Sequence, residues 1–221
     1  MTSQELINLL LEIKDKDSAD TIKERKFGRC ATLRQYDIPA GVRSIGNGAF
    51  HCCRNLYEVT IPESVTQIGI NPFLRCPHLH VTSLSQRFVV DNNMLIDLQT
   101  GRLISYFGQE ADVTVPESVV KIGVQAFCGC KSLRRVFLPD TVKYIEDFAF
   151  KGCTSLQHIQ FPASLRGIGS CAFLNCKSLK EIHLPKSISH VSRWAFWLYN
   201  PKNNVYSTLS VTGGGHYELW K

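Results

Sequence analysis

Nothing in these 221 residues reads as a membrane anchor or a secretory leader. The apolar stretch around Leu6, Ile7, Leu9 and Leu10 is short, Glu12 follows it at once, and neither a basic lead-in nor a small-residue cleavage site accompanies it. A phosphate loop is missing too, because Gly213-Gly214-Gly215 lacks the strand, helix and Lys that let backbone amides cradle phosphate. The net charge of +6 comes from 25 basic and 19 acidic residues scattered among one another. It forms no basic stripe interleaved with aromatics, so nucleic acid is not an expected partner. No segment sets a thiol or hydroxyl beside a base and an orienting acid. No linker divides the chain, which argues for one elongated unit. These gaps weigh against membrane insertion, nucleotide chemistry and enzymatic turnover, and no cofactor is expected.

What the chain does have is a period. Pro39, Pro62, Pro116, Pro139, Pro162 and Pro185 fall at intervals of 23, 54, 23, 23 and 23 residues, with matching residues at matching offsets. An apolar residue precedes each proline, and apolar residues stand three and six after it. Phe follows at eleven, usually Cys at fourteen and Leu at seventeen. A unit this small cannot bury its own apolar face without a stacked neighbour. The columns Val42, Val65, Val119, Val142, Leu165, Ile188 and Phe50, Phe73, Phe127, Phe150, Phe173, Phe196 are therefore read as core. Each such side chain contributes roughly 1.5–3 kcal/mol on burial.

Upstream of each proline, segments such as Leu133-Arg134-Arg135-Val136-Phe137-Leu138 alternate with the period of two of a half-buried strand. Proline ends that strand. Gly46, Gly69, Gly123 and Gly169, seven residues on, suggest a turn at positive φ. Asn47, Asp147 and Ser170 read as N-caps of one-turn helices carrying the Ala-Phe pairs, with Asn71 and Pro72 in the variant unit.

The pattern Ile-Pro-x-x-Val-x-x-Ile-Gly-x-x-Ala-Phe-x-x-Cys-x-x-Leu resembles the BspA-like class of leucine-rich repeats over about residues 22–207. The resemblance implies an α/β repeat solenoid, a curved stack with a parallel β-sheet on one face and short helical turns on the other. It also implies a role in surface adhesion or macromolecular interaction, and brings no catalytic residue set with it.

Both ends of such a stack need caps. Residues 1–21 hold a candidate capping helix, with Leu6, Ile7, Leu9, Leu10 and Ile13 at helical spacing and Thr2 and Glu5 as a capping box. Residues 208–221 form the expected C-terminal cap, as a hairpin closing Val205–Val211 against Tyr217–Trp220. The 54-residue interval predicts a β-hairpin insertion over about 85–112, built from Arg87–Val90, Met94–Asp97 and Arg102–Tyr106.

Six of the nine cysteines, Cys30, Cys53, Cys76, Cys130, Cys153 and Cys176, share one repeat offset and read as buried reduced thiols. Cys52, Cys128 and Cys171 lie off that column and carry the alternative reading of a thiol-based redox enzyme or sensor. Zinc at His51-Cys52-Cys53 or Cys76-Pro77-His78-Leu79-His80 is disfavoured, because the ligand types divide between inward and outward columns. The unpaired thiols suit the cytoplasm if the chain is complete as written; a removed leader would place it at the cell surface or outside.

Residues four and two before each proline should face out of the sheet. They form the columns Gln35, Glu58, Val81, Arg135, His158, Glu181 and Asp37, Thr60, Ser83, Phe137, Gln160, His183. Arg135, Phe137, His158, Gln160, Glu181 and His183 are the candidate binding residues, since an outward Phe lacks a folding reason and sits beside Arg and His. The expected function is a non-enzymatic protein-binding or adhesion module that meets a protein or host or matrix macromolecule through this face. A purely structural spacer is the remaining alternative.

Overall fold

The computed structural model describes residues 20–192, 194–200, 205–208, 210–213 and 218–219. The expected capping helix lies outside them. Along the chain run β1 (Thr21–Ile22), β2 (Gln35–Asp37), β3 (Ser44–Ile45), β4 (Glu58–Ile61), β5 (Gln67–Ile68) and β6 (His80–Ser83). Next come β7 (Phe88–Asp91), β8 (Met94–Asp97), β9 (Arg102–Tyr106), β10 (Asp112–Thr114), β11 (Lys121–Ile122), β12 (Arg135–Phe137) and β13 (Tyr144–Ile145). The last are β14 (His158–Gln160), β15 (Gly167–Ile168), β16 (Glu181–Leu184), β17 (His190–Val191), β18 (Trp197–Asn200), β19 (Val205–Thr208), β20 (Ser210–Gly213) and β21 (Glu218–Leu219).

Each coil gives one strand before its proline and a second, two-residue strand five and six residues after it. The first set forms the parallel ladders β2-β4-β6 and β10-β12-β14, with Tyr36 and Val136 buried between exposed neighbours and Val59 between half-buried ones. The second set forms β1-β3-β5 and β9-β11-β13-β15-β17-β21, in registers such as Ser44↔Gln67 and Ile122↔Ile145 that advance by one repeat. The fold is a β-solenoid with two parallel faces, where the sequence reading expected one sheet and helical turns.

The helical turns are absent among the described residues, and the backbone shows why. Gly48, Phe50 and Cys52 donate their N–H groups to Ile70, Pro72 and Leu74 of the next coil at 2.8–2.9 Å. The intervening Ala49, His51 and Cys53 donate three residues back, to Gly46, Gly48 and Phe50. A helix cannot form because the chain turns left-handed nine residues after each proline, at Gly48, Asn71, Gln125, Phe148, Cys171 and Trp194. It does so again thirteen after, at Cys52, Arg75, Gly129, Gly152 and Asn175. Arg25 and Arg29 repeat both positions in the first coil. This part of each coil is a chain of tight turns whose free amides are satisfied by the coil above.

The recurring glycines at seven residues after proline serve another purpose than the one expected. Gly46, Gly69, Gly123 and Gly169 have no positive φ. A Cβ on Gly123 would stand 2.3 Å from the Leu103 carbonyl oxygen, and one on Gly169 2.5 Å from the Asp147 nitrogen. Glycine is there so that adjacent coils can approach. Asn47 and Asp147 likewise cap no helix: their Oδ1 atoms accept from the Ile70 and Ser170 amides one coil on, at 2.7 and 2.6 Å.

Inside, Phe27, Phe50 and Phe73 stack at 5.0 and 5.5 Å between centroids, and Phe127, Phe150, Phe173 and Phe196 at 4.9, 5.1 and 5.4 Å. A thiol column runs beside them. Cys53, Cys76, Cys153 and Cys176 each donate S–H to the Phe carbonyl of the preceding coil, Phe27, Phe50, Phe127 and Phe150, at 2.9–3.1 Å. Cys suits the offset because it is small and apolar yet carries a weak donor.

The 54-residue interval inserts the antiparallel meander β7-β8-β9, and β9 then joins β11 in the second sheet. The meander is a partition with both faces buried. Phe88, Leu95, Ile104 and Phe107 pack on the N-terminal coils, while Met94, Ile96, Leu103 and Tyr106 pack on the C-terminal ones. That explains the unbroken apolar run Met94-Leu95-Ile96. Arg87 closes its edge with a two-pronged pair to Asp97 at 2.9 and 2.8 Å and a bond to the Thr66 carbonyl.

At the C-terminus the described residues do not pair with one another as the expected hairpin. β18 and β19 pair antiparallel, β20 lies parallel to β16, and β21 lies parallel to β17. Of the residues expected to close the stack, those of β21 thus lengthen the second sheet, while those of β20 form a separate two-stranded ladder with β16.

Candidate interaction face

The first sheet carries the candidate residues, and its strands stop at their prolines because proline has no N–H to continue the ladder. β12 and β14 are in register, so Arg135 lies beside His158 and Phe137 beside Gln160, all four facing solvent. Phe137 is 48% exposed. Glu181 and His183 face outward from β16, 3.8 Å apart, and His183 Nδ1 lies 2.6 Å from the Thr212 hydroxyl. The ladder is interrupted within these six, because β14 and β16 are not hydrogen-bonded neighbours, yet His158, Gln160, Glu181 and His183 line one cleft.

Arg135 is not a free cation. Its fork meets Asp112 of the preceding coil, Nε to Oδ1 at 2.8 Å and Nη2 to Oδ2 at 2.5 Å. The hydrogen bonds from Arg135 hold the Asp112 carboxyl below its ordinary range, and the same pairing raises Arg135. A fixed guanidinium beside an exposed ring is a planar, preorganised contact surface.

Two members of these columns escaped the sequence reading although the period marks them: Asp112 and Thr114 stand four and two residues before Pro116 and pair with Arg135 and Phe137. Val81 and Ser83 were misplaced. β4 pairs Glu58 with His80 and Thr60 with Thr82, so Val81 is 2% exposed and His80 and Thr82 face outward. That coil is one residue short of the period, and one residue of slip exchanges the faces of a strand.

The thiols off the column divide as well. Cys171 is buried, while Cys52 and Cys128 are half-buried. Burial pushes the Cys128 thiol up, although Arg75 and Lys151 pull the other way. A nucleophilic thiolate needs the opposite shift. In the segments weighed for zinc, the Cys53 and Cys76 thiols are turned inward onto Phe carbonyls. Among the described residues, no three or more His, Cys, Asp or Glu side chains converge to hold a metal, and no helix is long and apolar enough to cross a membrane.

The repeat geometry has a counterpart in sequence. The model of the BspA type leucine rich repeat region matches residues 7–95 and 106–212, in six copies. The chain belongs to this family. No curated relative matches this BspA-type chain in sequence. Among solved structures, a leucine rich cell surface protein from Faecalibacterium prausnitzii A2-165 superposes with a TM-score of 0.64 at 24% identity, over 89% of this chain and 62% of that one. The pneumococcal vaccine antigen PcpA gives 0.61 at 21% identity, over 91% and 59%. A leucine-rich repeat protein from Eubacterium ventriosum gives 0.57 at 19% identity, over 89% and 70%. These likenesses establish a shared fold, and the chain spans about three fifths of the first two proteins.

Proposed function

We propose that this chain is a non-enzymatic protein-binding and adhesion module that recognises a protein or matrix macromolecule through the outward face of its first sheet, centred on Arg135, Phe137, His158 and Gln160 and continued by Glu181 and His183. The observation that carries the reading is Phe137, a large apolar ring left 48% exposed beside an Arg that Asp112 holds in place. Aromatic and Arg side chains dominate the energetics of protein interfaces. A solenoid offers such residues as an extended platform, with its core fixed by packing and its outward positions free to vary. The solved relatives described as a cell surface protein and a vaccine antigen support display on a cell surface for this chain as well.

The test is capture of partners from host-cell surface extracts by wild-type protein and by the triple variant Arg135→Ala, Phe137→Ser, His158→Ala. Thermal unfolding should hold within a few degrees, because all three side chains face solvent. Specific capture should be lost. Undiminished capture by the folded variant would remove this face from the function.

A further inference from the structure

The repeat from Pro162 to Pro185 has the standard length, and β13-β15-β17 and the Phe column run through it without a break. Only the first sheet opens. It ends at β14, and β16 resumes pairing with β20, leaving a cleft of ≈ 800 Å³ between them. His158 donates to Arg134 on the β12 side, so the N–H and C=O of Ile159, the next residue, point into the cleft. Ile159 differs from its counterparts. Tyr36, Val59, Val136 and Ile182 are buried at this offset, whereas Ile159 is only half-buried. The cleft thus presents an unpaired strand edge, an incompletely covered apolar side chain and two cations, Lys177 and Lys180, that pair with no described carboxylate. Glu181, its one acid, faces His183 at 3.8 Å.

We propose that this opening is a docking site for an extended acidic peptide segment of a partner protein, which enters as an added strand between β14 and β16. Main-chain bonds to the β14 edge supply affinity without regard to sequence, and alternate side chains divide by chemistry. Apolar ones cover Ile159, and acidic ones face Lys177 and Lys180. The proposal rests on the reading of the first sheet as a binding surface and narrows the partner to one with an exposed acidic, strand-forming segment.

The experiment uses the full chain and short fluorescent peptides alternating Val and Glu, alternating Val and Lys, and alternating Val and Glu with every second amide N-methylated. Anisotropy should show binding of the first. The other two should be at least about tenfold weaker, the loss expected for one or two main-chain hydrogen bonds or a reversed charge pattern. Ile159→Pro should weaken the Val-Glu peptide by about tenfold while sparing the fold, because proline is tolerated only where the strand N–H has no ladder partner. Val136→Pro, in the continuous part of the sheet, should unfold the protein. Lys177→Glu with Lys180→Glu should invert the preference between the Glu and Lys peptides, which keeps the test available if Ile159→Pro does not fold.

Equal binding of the three peptides, or an undisturbed affinity in folded Ile159→Pro, would overturn the proposal. So would concentration-dependent dimerisation abolished by Ile159→Pro, which would give the edge to a second copy of this chain. The variant Arg135→Ala with Phe137→Ser should still bind the Val-Glu peptide, so failure of the outward face and failure of the cleft are read separately.

Discussion

Tyr106 and Phe107 are adjacent in the chain yet belong to opposite halves of the core. Phe107 meets the Phe73 ring edge-on at 6.3 Å, and Tyr106 lies 5.0 Å from Phe127. The missing coil's aromatic position is filled by these two residues at the end of β9. The meander is therefore what joins the stacks, and its Ser105 hydroxyl also bonds Asn71, whose amide donates to the Gln125 carbonyl at 2.6 Å.

Phe107→Ala and Tyr106→Ala should each destabilise the protein by about 3–5 kcal/mol, the range for deleting a buried aromatic side chain. Phe107→Ala should loosen the N-terminal coils first and Tyr106→Ala the C-terminal ones. Urea unfolding gives the magnitude, and amide exchange gives the side. A loss under about 1 kcal/mol for both would mean the partition is not part of the cooperative core.

The thiol column predicts a pH dependence. Burial pushes Cys53 up to about 11 and Cys76 and Cys176 up to about 12, and it raises Cys153 as well. In the unfolded chain these thiols ionise near 9.0, so between that pH and about 12 the unfolded state has given up protons that the folded state keeps. Stability should be fully present below pH 9 and fall as pH rises toward 12, with burial of Tyr36 adding to the slope at its upper end. Cys76→Ala should flatten this fall and cost about 0.5–1.5 kcal/mol at neutral pH for the lost bond to Phe50. Denaturation midpoints from pH 7 to 11 measure both, and a flat profile would contradict the buried column.

Asp97 makes the opposite case. Burial alone would raise its carboxyl, but the Arg87 fork, the Thr100 hydroxyl and the Gln99 amide together hold it below its ordinary value. A depressed carboxyl contributes stability above its unfolded pKa and loses it as pH falls through the folded one. Asp97→Asn should weaken the protein at pH 7 and reduce its sensitivity to acid below about pH 4. Thermal scans from pH 7 to 3 are the check, and parallel curves for the two proteins would count against the ion pair.

The parts of the fold that could be read from sequence are those where one offset has one task. Phe50, Phe127 and Phe150 recur because each coil must bury the same spot, and Arg135 and Phe137 alternate with Val136 because a half-buried strand has period two. The second sheet was hidden because strands such as Lys121–Ile122 are too short to show alternation. The left-handed positions were hidden because residues with side chains, Arg75, Gln125, Phe148 and Trp194 among them, occupy most of them in place of glycine. In the face itself the outward columns followed from the prolines. The opening beside Ile159 did not, since the interval from Pro162 to Pro185 is regular and only the pairing of β14 with β16 fails.

Two glycines separate the two jobs this residue performs in the stack. Gly152 sits at φ +74 with only Gly129 Cα near a built Cβ, at 3.9 Å, so Gly152→Ala meets conformational strain and no clash. It should cost about 1–2 kcal/mol, the penalty of a left-handed L-residue. Gly123 has ordinary φ, but its Cβ would stand 2.3 Å from the Leu103 carbonyl, the acceptor of Gly123's own N–H at 2.9 Å. Backbone cannot swing aside as a side chain does, so Gly123→Ala must push β9 and β11 apart and break the ladder that couples the meander to the C-terminal coils. It should therefore cost clearly more than Gly152→Ala and expose β9 amides to exchange, which Gly152→Ala should leave protected. Equal costs, or exchange that changes only in Gly152→Ala, would show that coil spacing is not what selects glycine seven residues after the proline.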